Sequence, residues 1–490
     1  MKKRVVATGV IVALGACWVG GAWYTSKQIE PNVEKFVSTF NKTNKQQSPQ
    51  MGMTLSYKDF SNGLFSSHFK VVLTFDHGTE ASGIKAGQNI AFDVDVAHGP
   101  FPLSSLAKGN LLPAMADVNV SPVNNELTKP LFDAAKGRSP INANIRVSYN
   151  KSATTQLVVA PASYTDKETT FAFEGGTVNI SGDDSLLLCN ARVNGQLNNV
   201  SITQKNNDFN LLSDSLTFNS NSHIAGPLLP VGNAEVTLNN IKIKVDDKEA
   251  VHIAAIRSKS DLALASDKRH ANLSLEYGVD DFSKGAQHLG SGKVALLIDN
   301  IDMVAFRQFM LNYNQEMSQA IVANPALMNN EDAMVEKSTA LMQKHLATLQ
   351  KSEPVIKIPF SWKNEKGEIT ANINIAIADP AKATVTPESL TESLDRNVKT
   401  VSANVMLPLD TITNITKQVK ITEGKDEASA QQQAEKAVKN FIMLGKMMDL
   451  ITVDDKAATL DFQYKQGNVI FNGKEMTAEE FMARGGRFLR

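Results

Sequence analysis

The sequence predicts a β-dominated α+β protein, in which one N-terminal transmembrane helix precedes a large, elongated antiparallel β-sheet body with packed helices. Three observations predict this. Residues 5–24 carry no charge and follow Lys2, Lys3 and Arg4. From Met51 to about Asn300, apolar residues alternate with polar ones in short runs separated by Gly, Asn and Asp, the pattern of strands with one apolar and one wet face. No strand–helix–strand rhythm interrupts these runs, which disfavours a parallel α/β sheet. With 490 residues, the chain exceeds the usual ceiling of roughly 250–300 residues for a single core, unless it forms one elongated sheet.

The expected cytoplasmic tip and anchor is 1–24. A helix over Val5 to Tyr24 is about 30 Å long, the thickness of a bilayer's hydrocarbon core. Two other readings of this stretch remain. Leu14-Gly15-Ala16-Cys17 fits a loose lipoprotein pattern with Cys17 as the lipidation candidate, and Gly20 and Ala22 could mark a cleaved signal. Against both, Trp18, Trp23 and Tyr24 gather at one end and three cations at the other, as in a retained span with its N-terminus in the cytoplasm. The membrane anchor is therefore read on Val5, Trp18, Trp23 and Tyr24. Gly9, Ala13, Ala16 and Gly20 recur at spacings of 4, 3 and 4, a candidate span-packing face for self-association, although small residues are common in such segments.

Residues 25–50 read as a juxtamembrane amphipathic helix and linker. Ile29, Val33, Phe36 and Phe40 fall at helical spacing, and Lys45–Gln50 is polar. The β-rich region is 51–301. In it INANIRVSY places Ile141, Ala143, Ile145, Val147 and Tyr149 on one face, and VVLTF, AEVTLNNIKIKV and ANLSLEY repeat the alternation. Residues 302–353 read as a Met-rich helical hairpin broken at Pro325, with Met303, Phe306, Met310 and Tyr313 on one side and Val335, Met342, Leu346 and Leu349 on the other. The remainder, 354–490, mixes strands and helices. Ile369, Ala371, Ile373, Ile375 and Ile377 share one strand face, and Thr386-Pro387 reads as a helix start. Ala430, Ala434, Ala437, Phe441, Leu444, Met448 and Ile451 alternate by 4 and 3 in a long helix near 426–451.

Composition excludes one function class. Lys+Arg number 50 against 51 Asp+Glu, with no cationic cluster, so a nucleic-acid partner is not expected. The two cysteines, Cys17 and Cys189, build no disulfide framework, and Cys189 is expected as a small apolar core residue. The eight histidines include no helical i, i+4 pair; His68, His77 and His98 lie in or beside neighbouring strands, where solvent-facing roles are commoner than metal ligation. Asp93 and Asp95 follow from strand alternation, with no calcium loop around them. GSGKVA (290–295) precedes a strand rather than a helix and so forms no phosphate cradle. No catalytic motif is found, so catalysis, cofactor and metal are not expected.

Several separated segments carry a family resemblance: VIVALGA and GGAWYT at the start, then SYKDFSNGLFSS, VAHGPFPL, NNELTKPLFDAAKG, HLGSGKVAL, SWKNEKGE and the closing GNVIFNGKEMTAEEF. Together they resemble the YdgA-like proteins of proteobacteria, a domain of unknown function. The resemblance implies a single N-terminal span in the bacterial inner membrane and a large periplasmic body. It supplies no catalytic residues and is not built on a lipidated cysteine. The expected function is a non-enzymatic envelope protein, tethered to the inner-membrane bilayer, that binds an envelope component or supports envelope organisation. The alternative is a β-groove that binds or transfers lipid, motivated by the one-sided apolar pattern and the Met-rich helices; an envelope hydrolase is the weakest reading. Whether helices cover the apolar sheet face discriminates between the first two.

Overall fold

The computed structural model describes residues 2–485 apart from 48–51, 77–83, 151, 184–189, 206–207, 226–229, 247, 325, 328–329 and 384–386. Side chains are described from Trp18 onward, except at 46–47, 230, 249 and 485. Val5, Gly9, Ala13, Ala16 and Cys17 therefore lie outside the described side chains, and Cys189 and His77 outside the described residues. Among the described residues, no helix is long and apolar enough to cross a membrane.

Helix α1 (Lys2–Gln47) runs unbroken through Pro31, so the short helix expected after residue 25 is the C-terminal part of one element about 70 Å long. Its apolar stripe lands on the start of the sheet. Ile29 and Val33 pack against Phe69, Val94 and Val96. Farther along, Asn41 Nδ2 donates to the Leu55 carbonyl while its Oδ1 accepts from Leu55 N, both at 2.8 Å, and Asn44 donates to Met53 O. These amides occupy the backbone groups that an edge strand would otherwise expose, which blunts edge-to-edge pairing.

The sheet is one antiparallel array. Its first part comprises β1 (Met53–Asn62), β2 (Ser66–Phe75), β3 (Asn89–His98), α2 (Leu103–Ala107), β4 (Ala116–Pro122), α3 (Lys129–Ala134), β5 (Ile141–Val147) and β6 (Ser152–Val159). The chain then forms β7 (Ala162–Thr165), β8 (Thr169–Phe173) and β9 (Gly176–Asp183), of which β9 pairs with β6. Six long strands follow: β10 (Asn190–Gln204), β11 (Phe209–Ile224), β12 (Pro230–Val245), β13 (Lys248–Leu264), β14 (His270–Lys284) and β15 (Gln287–Asp302). At ~3.4 Å per residue they are about 50–58 Å long. The hairpin α4 (Met303–Ala323) and α5 (Glu331–Gln350) leads to β16 (Val355–Asn364), β17 (Gly367–Ile377), α6 (Leu390–Asn397) and β18 (Val398–Pro408). The chain closes with α7 (Leu409–Thr422), α8 (Glu427–Met447), β19 (Thr452–Val453), β20 (Ala457–Lys465), β21 (Asn468–Phe471), β22 (Lys474–Thr477) and α9 (Ala478–Gly485). From β9 to β18 each strand pairs with the next in the chain, and β20 continues the sheet beyond β18.

The alternation of AEVTLNNIKIKV is not one continuous phase. Ala234, Val236 and Leu238 occupy even positions, whereas Ile241, Ile243 and Val245 occupy odd ones, and the switch falls at Asn240 with φ +49°. The same switch recurs at one level across the neighbouring strands. The register is unchanged across this level, but the ladder skips one pair in each case, between Ser213–Ile241 and Ser215–Asn239, between Ile241–Ile253 and Asn239–Ala255, and between Ile253–Phe282 and Ala255–Asp280. Asp281 (φ +42°) and Gly290 (φ +120°) continue the line in β14 and β15. A left-handed residue re-aims the strand, a conformation that Asn and Asp tolerate better than other non-glycine residues. Apolar residues on both sides of the line thus share a face. Phe282, below it, meets Trp362 at 6.4 Å between ring centroids, and the Trp362 ring lies over Gly292, above it.

The helices differ from expectation in detail. In the α4–α5 hairpin, Met303, Phe309 and Leu341 are buried while Val335, Met342 and Leu346 are exposed. Helix α8 buries Ala430 and Ala434 of the expected stripe, but beyond them it buries Val438 and Gly445 in place of Ala437 and Leu444 and leaves Phe441 and Leu444 outward, so the stripe holds for its first two members and then shifts by one position. Helix α6 starts behind Ser389, in a capping box with Glu392, rather than at Thr386-Pro387; Thr386 lies outside the described residues.

Candidate functional site

Cross-strand pairing aligns the apolar face into rows perpendicular to the strands. One row passes through Phe218, Val236, Ser258, Tyr277, Val294, Phe360 and Ala371; beside it run Leu216, Leu238, Ile256, Val279, Gly292, Trp362 and Ile369. Val236, Ile256, Tyr277, Val294, Phe360 and Ile373 are 37–53% exposed, so among the described residues no second layer lies over this part of the sheet. Trp362 organises the region where the face turns. Its Nε1 donates to Leu289 O at 2.9 Å, and a Cβ at Gly292 would stand 2.4 Å from its ring, so glycine is what lets the indole lie flat there.

The helices cover the face only in part. Helix α7 lies across β15–β18. Asn364, which shares a face with Phe360 and Trp362, donates to Thr411 O at 3.4 Å and Asn414 Oδ1 at 3.2 Å, which fixes α7 at the Asn364–Gly367 turn. Helix α8 packs on α7. The α4–α5 hairpin is held mainly by its own contacts: Tyr313 Oη lies 2.8 Å from Ser338 Oγ, and Glu316 accepts from Lys344 and His345. It joins the sheet at β15, whose last residue, Asp302, caps α4 and pairs with Arg269. The segment between α7 and the α4 end of the strands is where the row stays open.

On the opposite face, a polar cleft of about 990 Å³ lies beside α2, lined by residues that include His68, Asp95, Asn119, Asn144, Gln156 and Asn179. Apart from Lys108, which reaches only Asn144 Oδ1 at 3.5 Å, its charges are internally paired. Asp117 accepts from Arg146, Ser104 and Ser105, and His68 Nδ1 lies 2.8 Å from Asp95 Oδ1. Lys70, on the next rung, holds Asp93 at 2.6 Å. Among the described residues no group of three or more His, Cys, Asp or Glu could hold a metal ion. His98 is a structural histidine. Buried at 1% exposure, it places Nδ1 2.9 Å from Leu64 O and Nε2 2.8 Å from Ser67 Oγ, and burial holds its pKa below the usual histidine value. The neutral tautomer that satisfies both contacts donates from Nδ1 and accepts at Nε2.

His98 fixes the loop on which α1 docks. Trp18 meets Phe65 at 5.5 Å, and a Cβ on Gly21 would stand 2.6 Å from Pro100 Cδ. Ala22 and Thr25 are fully buried, and Ser26 donates to Asn62 Oδ1 at 2.7 Å. Of the anchor residues read from sequence, Trp18 is half-buried on this surface, whereas Trp23 and Tyr24 face outward. A Cβ at Gly20 would meet nothing, so that side of the helix is unoccupied. The dock went unread in the sequence; its signal, the small residues Gly21, Ala22, Thr25 and Ser26 at helical spacing, was hidden within an apolar run.

A family model described as "Bacterial protein of unknown function (DUF945)" matches residues 1–479. The chain belongs to this family. It is 42% identical over 486 residues to "Uncharacterized protein YihF" of Escherichia coli (strain K12), covering 99% of each chain. It is 35% identical to "Protein YdgA" of the same organism, covering 98% of this chain and 96% of that one. A protein of Haemophilus influenzae, also uncharacterized, is 29% identical over 189 residues, 37% of this chain and 49% of its own. No solved structure matches. The YdgA-like membership thus agrees with the resemblance read from the sequence, and the family brings no assigned chemistry to the open face.

Proposed function

We propose that this protein is a non-enzymatic envelope protein, tethered to the bacterial inner membrane by α1, that binds an acyl-bearing envelope lipid on the open apolar face of β12–β17. One observation carries the reading: the aligned, uncovered row through Val236, Tyr277, Val294 and Phe360. Exposed apolar surface costs roughly 25 cal/mol per Å² relative to burial, and contiguous patches of this kind mark binding surfaces. Acyl chains suit it because the row is long, narrow and almost free of hydrogen-bonding groups, with Ser258 and the Tyr277 hydroxyl as the exceptions. The charge pattern of the apolar run 5–24 supports a cytoplasmic N-terminus and a periplasmic body.

The test uses the full chain in vesicles with a phospholipid carrying a photoactivatable acyl chain. Cross-links are expected on peptides of β12–β17 as well as on α1. Tyr277→Asp/Phe360→Asp should lower the sheet cross-links about tenfold, the effect of losing ~1.4 kcal/mol, and leave those on α1 unchanged. Cross-links confined to α1 in the parent chain would refute lipid binding by the sheet.

A further inference from the structure

We propose that the loops around the α1 dock form a second membrane contact, a leucine-tipped surface that inserts into the bilayer interface and fixes how the body stands on the membrane. The inference rests on the reading of residues 5–24 as a span. Leu111 and Leu112 are 73% and 70% exposed, Leu64 and Leu103 are also exposed, and all four lie in the segments 62–66 and 98–116 whose Phe65 and Pro100 pack on α1.

These leucines stand on an ordered platform. Ala114 N donates to Pro100 O at 2.9 Å and Met115 N to Val147 O at 2.8 Å. Leu112 N donates to Asn110 Oδ1 at 3.0 Å, and Arg146 donates to Leu112 O. Ala114 and Pro102 are buried, so the loop is rooted in the body while its tip points away. A loop this well held would ordinarily be polar at its tip.

Its level along α1 identifies the occupant. Phe65 and Pro100 pack on Trp18 and Gly21, within the expected span rather than after it. At ~1.5 Å per residue, Trp18 lies about 9 Å along the helix from Tyr24. If Tyr24 sits at the outer interface, the docked loops reach headgroup depth, where apolar and aromatic side chains are favourable and a free water surface is absent. A phospholipid bilayer is the partner that meets the helix and the leucines together.

The experiment places a nitroxide on Leu112→Cys in the full chain, with Cys17→Ser and Cys189→Ser, in phosphatidylethanolamine/phosphatidylglycerol vesicles. A second label on exposed Lys465→Cys serves as the control. The label at 112 should be relaxed more by oxygen than by an aqueous nickel complex, and the label at 465 the reverse. Carbonate extraction is run in parallel. A chain that resists carbonate while position 112 reports water overturns the leucine contact and leaves the span intact. A chain that carbonate strips from the vesicles refutes the span and the contact with it.

Discussion

Asn240 is the residue through which the change of strand phase can be tested. It sits at φ +49°, donates to Asp214 Oδ2 at 2.6 Å and places Oδ1 2.9 Å from His252 Nε2. Two substitutions separate the backbone from the hydrogen bonds. Asn240→Gly keeps the left-handed conformation without strain and loses both contacts, which are partly exposed and together contribute about 1 kcal/mol. Asn240→Val loses the same contacts and adds a β-branched residue at positive φ, at a further cost of ~1–2 kcal/mol. Hydrogen exchange of β11–β13, followed by mass spectrometry on the full chain, reads the local opening free energy. Exchange should accelerate about fivefold for Asn240→Gly and roughly 30- to 150-fold for Asn240→Val. If valine were tolerated as well as glycine, the left-handed residue would not set the phase, and the shared apolar face would need another cause.

Gly21→Leu should force the helix off Pro100, costing ~1–3 kcal/mol of docking, and expose Lys27 to trypsin sooner than in the parent chain; unchanged cleavage would contradict the dock. Glu353, held by Lys399 and by Lys382 at 2.9 Å, has its pKa lowered from 4.5 to about 2 by those lysines. A depressed carboxylate pKa stabilises the fold above the unfolded-state value and loses that contribution as pH falls from about 4.5 toward about 2. Because all three groups are partly exposed, Glu353→Gln should cost about 0.5–1 kcal/mol at pH 7 and clearly less at pH 2, where the folded-state carboxylate is half protonated, as measured by urea midpoints at the two pH values.

Strand identity was legible because alternation survives twist and length: INANIRV and GEITANINIAI name their own faces. What could not be read is how two phases join. In AEVTLNNIKIKV the eye follows one alternation, yet the pair Asn239-Asn240 carries the switch, and only the neighbours Asp214 and Asp281 at the same level show that it is a feature of the sheet. Helix faces were less secure for a related reason. The stripe Ala437, Phe441 and Leu444 on α8 is as periodic as the buried one, but after Ala434 the buried positions are Val438 and Gly445, where Gly445 leaves room for the Ile451 side chain that folds back from beyond the helix. The α1 dock was illegible because an apolar run satisfies a bilayer and a protein surface with the same residues.

The line through Asn240, Asp281 and Gly290 also divides the apolar face by use. On the side toward Asn364 and Gly367, the face meets α7. On the other side, it carries the exposed row and continues to the strand ends at Ile224 and Pro230, Leu264 and His270, and Asp302. In an antiparallel meander these strand ends lie on the same edge of the sheet as Asn62 and Ser66, His98 and Ala116, and Val147 and Ser152, the edge at which Phe65 and Pro100 pack on α1. An open apolar face that ends at the edge where the helix enters is what a surface receiving acyl chains from a bilayer would require. A sheet built for stability alone would gain by extending α7 over Tyr277 and Phe360, since burying the 53% and 38% of these side chains still exposed is worth roughly 0.6–1.6 kcal/mol each. Leaving them uncovered forgoes that stabilisation, and lipid supplied along the strands would restore it.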